Sequence, residues 1–339
     1  MNQSLQDYLF ERILNTFPKR SAAVEALGKL MGLGKDAVYR RLRGHTLLSL
    51  DELAALAREF KVSLDDYLFS RADSVVFSYS SFSQTISSYR DYLDSVSRNI
   101  ERIYLLPEKH FYYATSEIPL FHYCHFPEVI GFKLYVWART IWSVPKIKEQ
   151  AFHFDLLSQE DQRITSELLN MYNDIPSTEL WHLNIVDNTL NQIEYHVNIG
   201  GFQRPEDALV LCDRLLELCE HIRKMAAFGH KYRMGGEPQA TATRTFDLFH
   251  NEMVFTNNNF LAVTPVGKVI FTTYCNPNFL KCTDERMCNF TEDWFKNITS
   301  KSIAISNHAE KNRSWYFNTL HRKIERVRTR ISNQVEEGF

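Results

Sequence analysis

The chain reads as a mainly α protein in two parts. Residues 1–70 form a compact five-helix domain, and residues 75–339 a larger, mostly helical domain with a small antiparallel β meander near 250–274 and a sub-boundary near 233–245. Three observations predict this. Apolar side chains recur at spacings of three and four through most of the 339 residues. Serine caps followed three residues later by an acidic residue mark helix starts, as at Ser49–Glu52, Ser63–Asp66 and Ser158–Asp161. After His250, runs of β-branched and aromatic residues lie between turn signals at Asn257–Asn259 and Pro265–Gly267.

Taken in order, a first helix runs over 4–16, with Leu5, Leu9, Ile13 and Leu14 on one face, and Pro18 stops it. Ser21 is placed to cap a second helix whose inward face is Val24, Leu27, Leu30 and Met31. Gly32 follows, where a sharp turn is easiest without a Cβ. The third helix starts near Gly34 with Ala37, Val38 and Leu42 inward and Lys35, Asp36, Tyr39, Arg40 and Arg43 outward. Ser49–Glu52 opens a fourth helix with Leu50, Leu53, Leu56, Ala57 and Phe60 as its stripe, and Ser63–Asp66 a short fifth.

Two helices around a tight glycine turn, the second exposing cations, form a helix-turn-helix, whose second helix enters the DNA major groove. Net charge is −2, which excludes a chain that is basic throughout. Between Pro18 and Ser49, however, Lys19, Arg20, Lys29, Lys35, Arg40, Arg41 and Arg43 face only Glu25 and Asp36. That local excess suits a phosphate-facing patch. Lys35, Asp36, Tyr39, Arg40 and Arg43 are the candidate base and backbone contacts, with Lys19 and Arg20 at the entrance to the second helix. Arg40 is the best reader, because a guanidinium can give two hydrogen bonds to guanine.

The order Leu27, Leu30, Gly32, Val38, Gly44, Ser49-Leu50 and Leu53, then KVSLDDYL at 61–68, resembles the Cro and lambda-repressor (XRE-like) type of helix-turn-helix domain. Those proteins are established examples of the motif. The resemblance covers the N-terminal domain only, and it implies a transcriptional regulator that binds double-stranded DNA as a homodimer. Val24 stands where that family often has glutamine. Gly28 stands where it usually has alanine, which is expected to weaken the helix slightly.

Beyond a linker at 70–74, a heptad-like seam of Ile86, Tyr89, Leu93, Val96, Ile100 and Ile103 predicts a helix over 85–105. It serves either to pair two protomers or to pack on its own domain. Further helices are expected from Ser158 to Tyr172, from Pro176 to Asn198 and over 206–228. A flexible connection at 234–243 then precedes strands at 250–256, 260–264 and 268–274. Helices return at 285–300 and 311–332, the last with a second seam of Phe317, Leu320, Ile324, Val327 and Ile331.

No nucleophile elbow, P-loop, GxGxxG or HExxH occurs, so no catalytic residue and no cofactor is assigned. His122, Cys124 and His125 match no metal-site spacing, and the six cysteines read as thiols in a reducing cytoplasm. The N-terminus lacks a secretory pattern, and Ile118–Trp142 is interrupted by Glu128, Lys133 and Arg139, so no membrane partner is expected. With 24 Phe and 16 Tyr, rings are abundant enough to line a pocket; Tyr113, His122 and Tyr135 are the candidates for a small-molecule or peptide effector. The expectation is a DNA-binding regulator with a sensing and dimerisation domain. The alternatives are a DNA-tethered protein whose large domain binds a peptide or protein partner, and an enzyme fused to a regulator.

Overall fold

The computed structural model describes residues 4–17, 19–60, 62–68, 74–79, 86–236, 246–252, 258–275 and 277–336. They fall into two compact units, Met1–Val76 and Phe77–Phe339.

The N-terminal unit contains α1 (Leu5–Leu14), α2 (Arg20–Met31), α3 (Lys35–Leu42), α4 (Leu50–Glu59) and α5 (Asp65–Leu68). Its core is Leu9, Phe10, Ile13, Val24, Leu27, Val38 and Leu56. The three-four spacing of these residues turns one stripe of each helix inward. Ser49 caps α4 in a complete capping box: its hydroxyl accepts from the Glu52 amide, and the Glu52 carboxylate accepts from the Ser49 amide. Two expectations are corrected. The second helix begins before Ser21, with Lys19 at its N-cap and no side-chain cap. Leu30 and Leu50, expected inside, are 39% and 85% exposed; each lies at the edge of its stripe, beyond the reach of the small core.

In the second unit helix predominates, but the small meander expected near 250–274 is part of an eight-stranded mixed sheet. Its strands are β1 (Ser78–Tyr79), β2 (His110–Thr115), β3 (Ser177–Trp181), β4 (Phe246–His250), β5 (Asn259–Thr264), β6 (Gly267–Cys275), β7 (Asn278–Cys282) and β8 (Ile303–Ala304), in the spatial order β1-β7-β6-β5-β2-β3-β4-β8. Strands β2, β3 and β4 run parallel at the centre; the other pairings are antiparallel. The expected strand over 250–256 lies partly outside the described residues, and β4 ends at His250. The segment 233–245 separates no sheet, since β4 after it pairs with β3 before it. Ser177, expected in a helix from Pro176, starts β3 instead; the helix there is α11 (Asp187–Asn198).

Parallel strands need long crossovers. Between β2 and β3 these are α7 (Leu120–Tyr123), α8 (Pro127–Thr140), α9 (Pro145–Lys148) and α10 (Gln159–Asp174), and between β3 and β4 they are α11 and α12 (Asp207–Phe228). Helix α6 (Tyr89–Tyr104) precedes β2, and α13 (Glu285–Ser300) and α14 (Glu310–Glu336) follow β7. Helix α13 packs on β2, β5 and β6, with Phe295 against Tyr112 at 5.4 Å between ring centres. Helix α14 lies along α12, and α6 along α10.

Both heptad-like seams are spent inside this unit. Leu93 and Ile100 on α6, and Leu320, Ile324 and Ile331 on α14, are at most 4% exposed and belong to one core. Neither seam is free to pair protomers. Leu93→Glu or Ile100→Glu is therefore expected to destabilise the unit by about 4 kcal/mol or more, because each buries an unpaired charge. All five tryptophans lie after residue 76, so urea unfolding followed by tryptophan fluorescence reports on this unit. A folded protein of native stability carrying either glutamate would contradict the placement.

Candidate functional site

The short helix α3, with its C-cap Arg43, carries four of the N-terminal unit's cations: Lys35, Arg40, Arg41 and Arg43. Gly32, with φ of +65°, ends α2 in the left-handed region, and Gly34 caps α3. The Leu33 amide donates to the Gly28 carbonyl at 2.9 Å, which closes the turn tightly. Gly28 is where this tightness is felt: a Cβ there would meet the Leu33 carbonyl oxygen at 2.8 Å. The position thus needs glycine for space, although helix propensity favours alanine.

With Val38 fully buried and Leu42 packed beside it, Lys35, Asp36, Arg40 and Arg43 are all exposed and Tyr39 is half-buried. The Arg43 guanidinium lies 5.9 Å from the Tyr39 ring centre. Lys19 and Arg20 are exposed at the start of α2. Arg41 is turned away from this set, paired with Glu52 at 2.9 Å. Gln6, which sequence reasoning passed over, holds the loop after α3: its amide donates to the Arg41 and Thr46 carbonyls at 2.8 and 3.0 Å and accepts from the Leu48 amide at 2.8 Å. A glutamine in the polar first turn of a helix gives no sign of that reach.

The three pocket candidates of the second unit are not brought together. Tyr113 lies on the wall of a cavity of about 110 Å³. The Tyr135 hydroxyl instead donates to the Gln150 carbonyl at 2.9 Å and accepts from Arg139 at 2.7 Å. His122 is fully buried, and its Nε2 donates to both oxygens of Glu179 at 3.1 Å.

The Glu179 carboxylate sits in the middle of β3 with no exposure, and it also accepts from the Tyr172 hydroxyl at 2.5 Å and the Trp181 indole at 3.0 Å. Burial alone would raise its pKa; the His122 contact, Lys231 and Tyr172 hold it below the ordinary value. Lys231 donates to the Ile175 carbonyl at 2.6 Å and lies 3.8 Å from the Tyr172 ring centre. Burial pushes its ammonium down to about 7 against the pull of Glu179 and Asp174.

A second buried cluster surrounds Glu117. Its carboxylate pairs with Lys133 and accepts from Thr189 at 3.1 Å and Asn188 at 3.0 Å, while Lys133 also donates to Gln192 at 2.5 Å. Lys133 is visible in the sequence as a lone ionisable residue inside the apolar run VIGFKLYVWA, whereas Glu179, preceded by Ser177 and Thr178 in STELW, carries no such sign. Among the described residues no group of three or more His, Cys, Asp or Glu is placed to hold a metal ion, and no helix is long and apolar enough to cross a membrane. No protein-family model, curated protein or solved structure matches the chain.

Two outcomes follow from this geometry. Gly28→Ala is expected to destabilise the N-terminal unit by about 1–3 kcal/mol, since overpacking against backbone outweighs the gain in propensity. Amide hydrogen exchange over residues 20–42 checks it; unchanged or slower exchange would mean that the turn has room. The second concerns acid. Burial, together with His221, lowers His125 to about 2, and burial with Lys231 lowers His110 to about 4, from an ordinary 6.5. Unfolded, both rings take up protons near 6.5, so the stability they permit is full above that pH. It is lost as pH falls through 6.5 towards those depressed values, by up to about 1.4 kcal/mol per pH unit for each ring. Replacing His125 by Phe should flatten the fall in urea stability between pH 6 and pH 4.5; an unchanged slope would show that His125 is not a source of it.

Proposed function

We propose that the chain is a sequence-specific, double-stranded-DNA-binding transcriptional regulator, whose C-terminal unit responds to an effector. The observation that carries this reading is the two-sided character of α3. Val38 and Leu42 anchor one side, while Lys35, Tyr39, Arg40 and Arg43 project from the other, beyond a turn too tight for a Cβ at Gly28. A helix so held can enter a major groove as a rigid body, its first residues nearest the base edges. Lys19 and Arg20 at the start of α2 then suit phosphate contacts, which position a protein without reading sequence.

One such helix touches few base pairs, so the proposal includes a homodimer that binds two half-sites about one turn of DNA apart. Since both seams lie inside the C-terminal unit, the pairing surface is elsewhere. Effector binding would act by changing the separation of the two recognition helices, which coupled binding free energies require to be reciprocal.

Selection of binding sites from random duplexes with the full-length chain tests the reading. An enriched sequence is expected. Arg40→Ala should weaken that site by about 1–3 kcal/mol and relax the preference at one base pair, whereas Lys19→Ala and Arg20→Ala should weaken all sequences alike and reduce the salt dependence. No enriched sequence, or an unaltered preference for Arg40→Ala, would count against it.

A further inference from the structure

The cavity of about 110 Å³ lies under the antiparallel half of the sheet, between α6 and strands β5, β6 and β7. Its walls are chiefly hydrocarbon, including Val96, Ile100, Trp137, Phe260, Phe271 and Phe279. This partly open space is smaller than the apolar cavities of roughly 150 Å³ that accept benzene, and well above the room that one water needs.

Two hydroxyls on the wall have no protein partner among the described residues and are left for whatever fills the space. Tyr92 and Tyr113 are 6% and 5% exposed, and neither hydroxyl has a hydrogen-bond partner among the described residues. Three other buried tyrosines are satisfied, Tyr123 by Thr189 at 2.7 Å, Tyr172 by Glu179 at 2.5 Å and Tyr316 by the His182 carbonyl at 2.9 Å, whereas Tyr89, 6% exposed and not on this wall, also has a hydroxyl unpartnered among the described residues.

The charge at the wall restricts the ligand further. Glu117 borders the cavity, and its carboxylate is held below the ordinary pKa, burial notwithstanding, by Lys133, Asn188 and Thr189. Among the described residues no cation lines the space, so a carboxylate or phosphate would meet a like charge. An ammonium would meet a carboxylate already compensated by Lys133 and would lose its water in return for little.

We propose that this cavity is a binding site for an uncharged, largely hydrocarbon molecule bearing a carbonyl or hydroxyl group, which the Tyr92 and Tyr113 hydroxyls engage. The proposal deepens the sensor role given to the C-terminal unit, and rests on that reading only for what binding does to DNA affinity.

Acetophenone, toluene, benzoate and benzylamine are four probes of similar size. With the full-length chain, acetophenone is expected to raise the melting temperature with concentration, as any ligand of the native state must. It should also show saturation transfer by NMR, with benzoate and benzylamine at least tenfold weaker. Tyr92→Phe combined with Tyr113→Phe should weaken acetophenone about fivefold or more and leave toluene unchanged. Val96→Phe and Phe279→Trp, each first shown to melt cooperatively, should abolish binding by filling the space. Acetophenone that does not bind, benzoate that binds as well as acetophenone, or binding retained in both filled variants would overturn the proposal. The two readings fail separately: probe binding without sequence-specific DNA binding removes the regulator and keeps the cavity, and the converse result does the opposite.

Discussion

A carboxylate buried in the central sheet organises the C-terminal unit. Glu179 sits mid-strand between two parallel neighbours, out of reach of water. Removing such a charge from solvent is tolerable only when donors surround it in good geometry. Those donors come from scattered places: Ser177 and Trp181 on the same strand, Tyr172 from α10, and His122 from α7. The helices that cover this face must therefore dock in one arrangement. An all-apolar centre would tolerate sliding that this set of hydrogen bonds does not.

The rings follow from the same arrangement. Phe121, next to His122, stacks on Tyr172 at 4.3 Å between centres, and Tyr172 in turn lies under Lys231. Glu117, Lys133 and Thr189 repeat the principle one layer away, tying the turn after β2 to α8 and α11. The two clusters fix Phe121 and Tyr123, which form one side of the cavity. One side of the space beneath α6 is thus placed by hydrogen-bonded clusters.

The sequence foretold helices with amphipathic stripes and serine caps far better than it foretold the sheet. Ser49–Glu52 and Ser158–Asp161 were readable because a cap and its partner lie three residues apart. The central strands were not. FYYAT in β2 and STELW in β3 are short and buried on both faces, so they show neither the alternation of a half-exposed strand nor the length that separates strand from helix. The edge strands β1 and β8, two residues each, carry no pattern at all. In the N-terminal unit the exposure of Arg40 could be picked out by spacing, but the reach of Gln6 and the need for glycine at Gly28 arise from contacts across 5 to 42 residues. On the cavity wall stands Tyr113, named from the sequence as a pocket candidate, and also Tyr92, which precedes Leu93 of the seam and was not singled out.

The pairing of β1 with β7 has a bearing on how the chain is made. Ser78 lies opposite Lys281, some two hundred positions later, so the first strand of the large unit waits for nearly the whole polypeptide before it has a neighbour. The five-helix unit needs only contacts among its own first residues, and domains generally fold as units in the order of synthesis. Closing loops of such different lengths also costs different amounts of entropy. A nascent chain would therefore carry a finished five-helix head well before the sheet of the larger unit can close, and a chain cut short before β7 would keep that head but leave β1 without a neighbour.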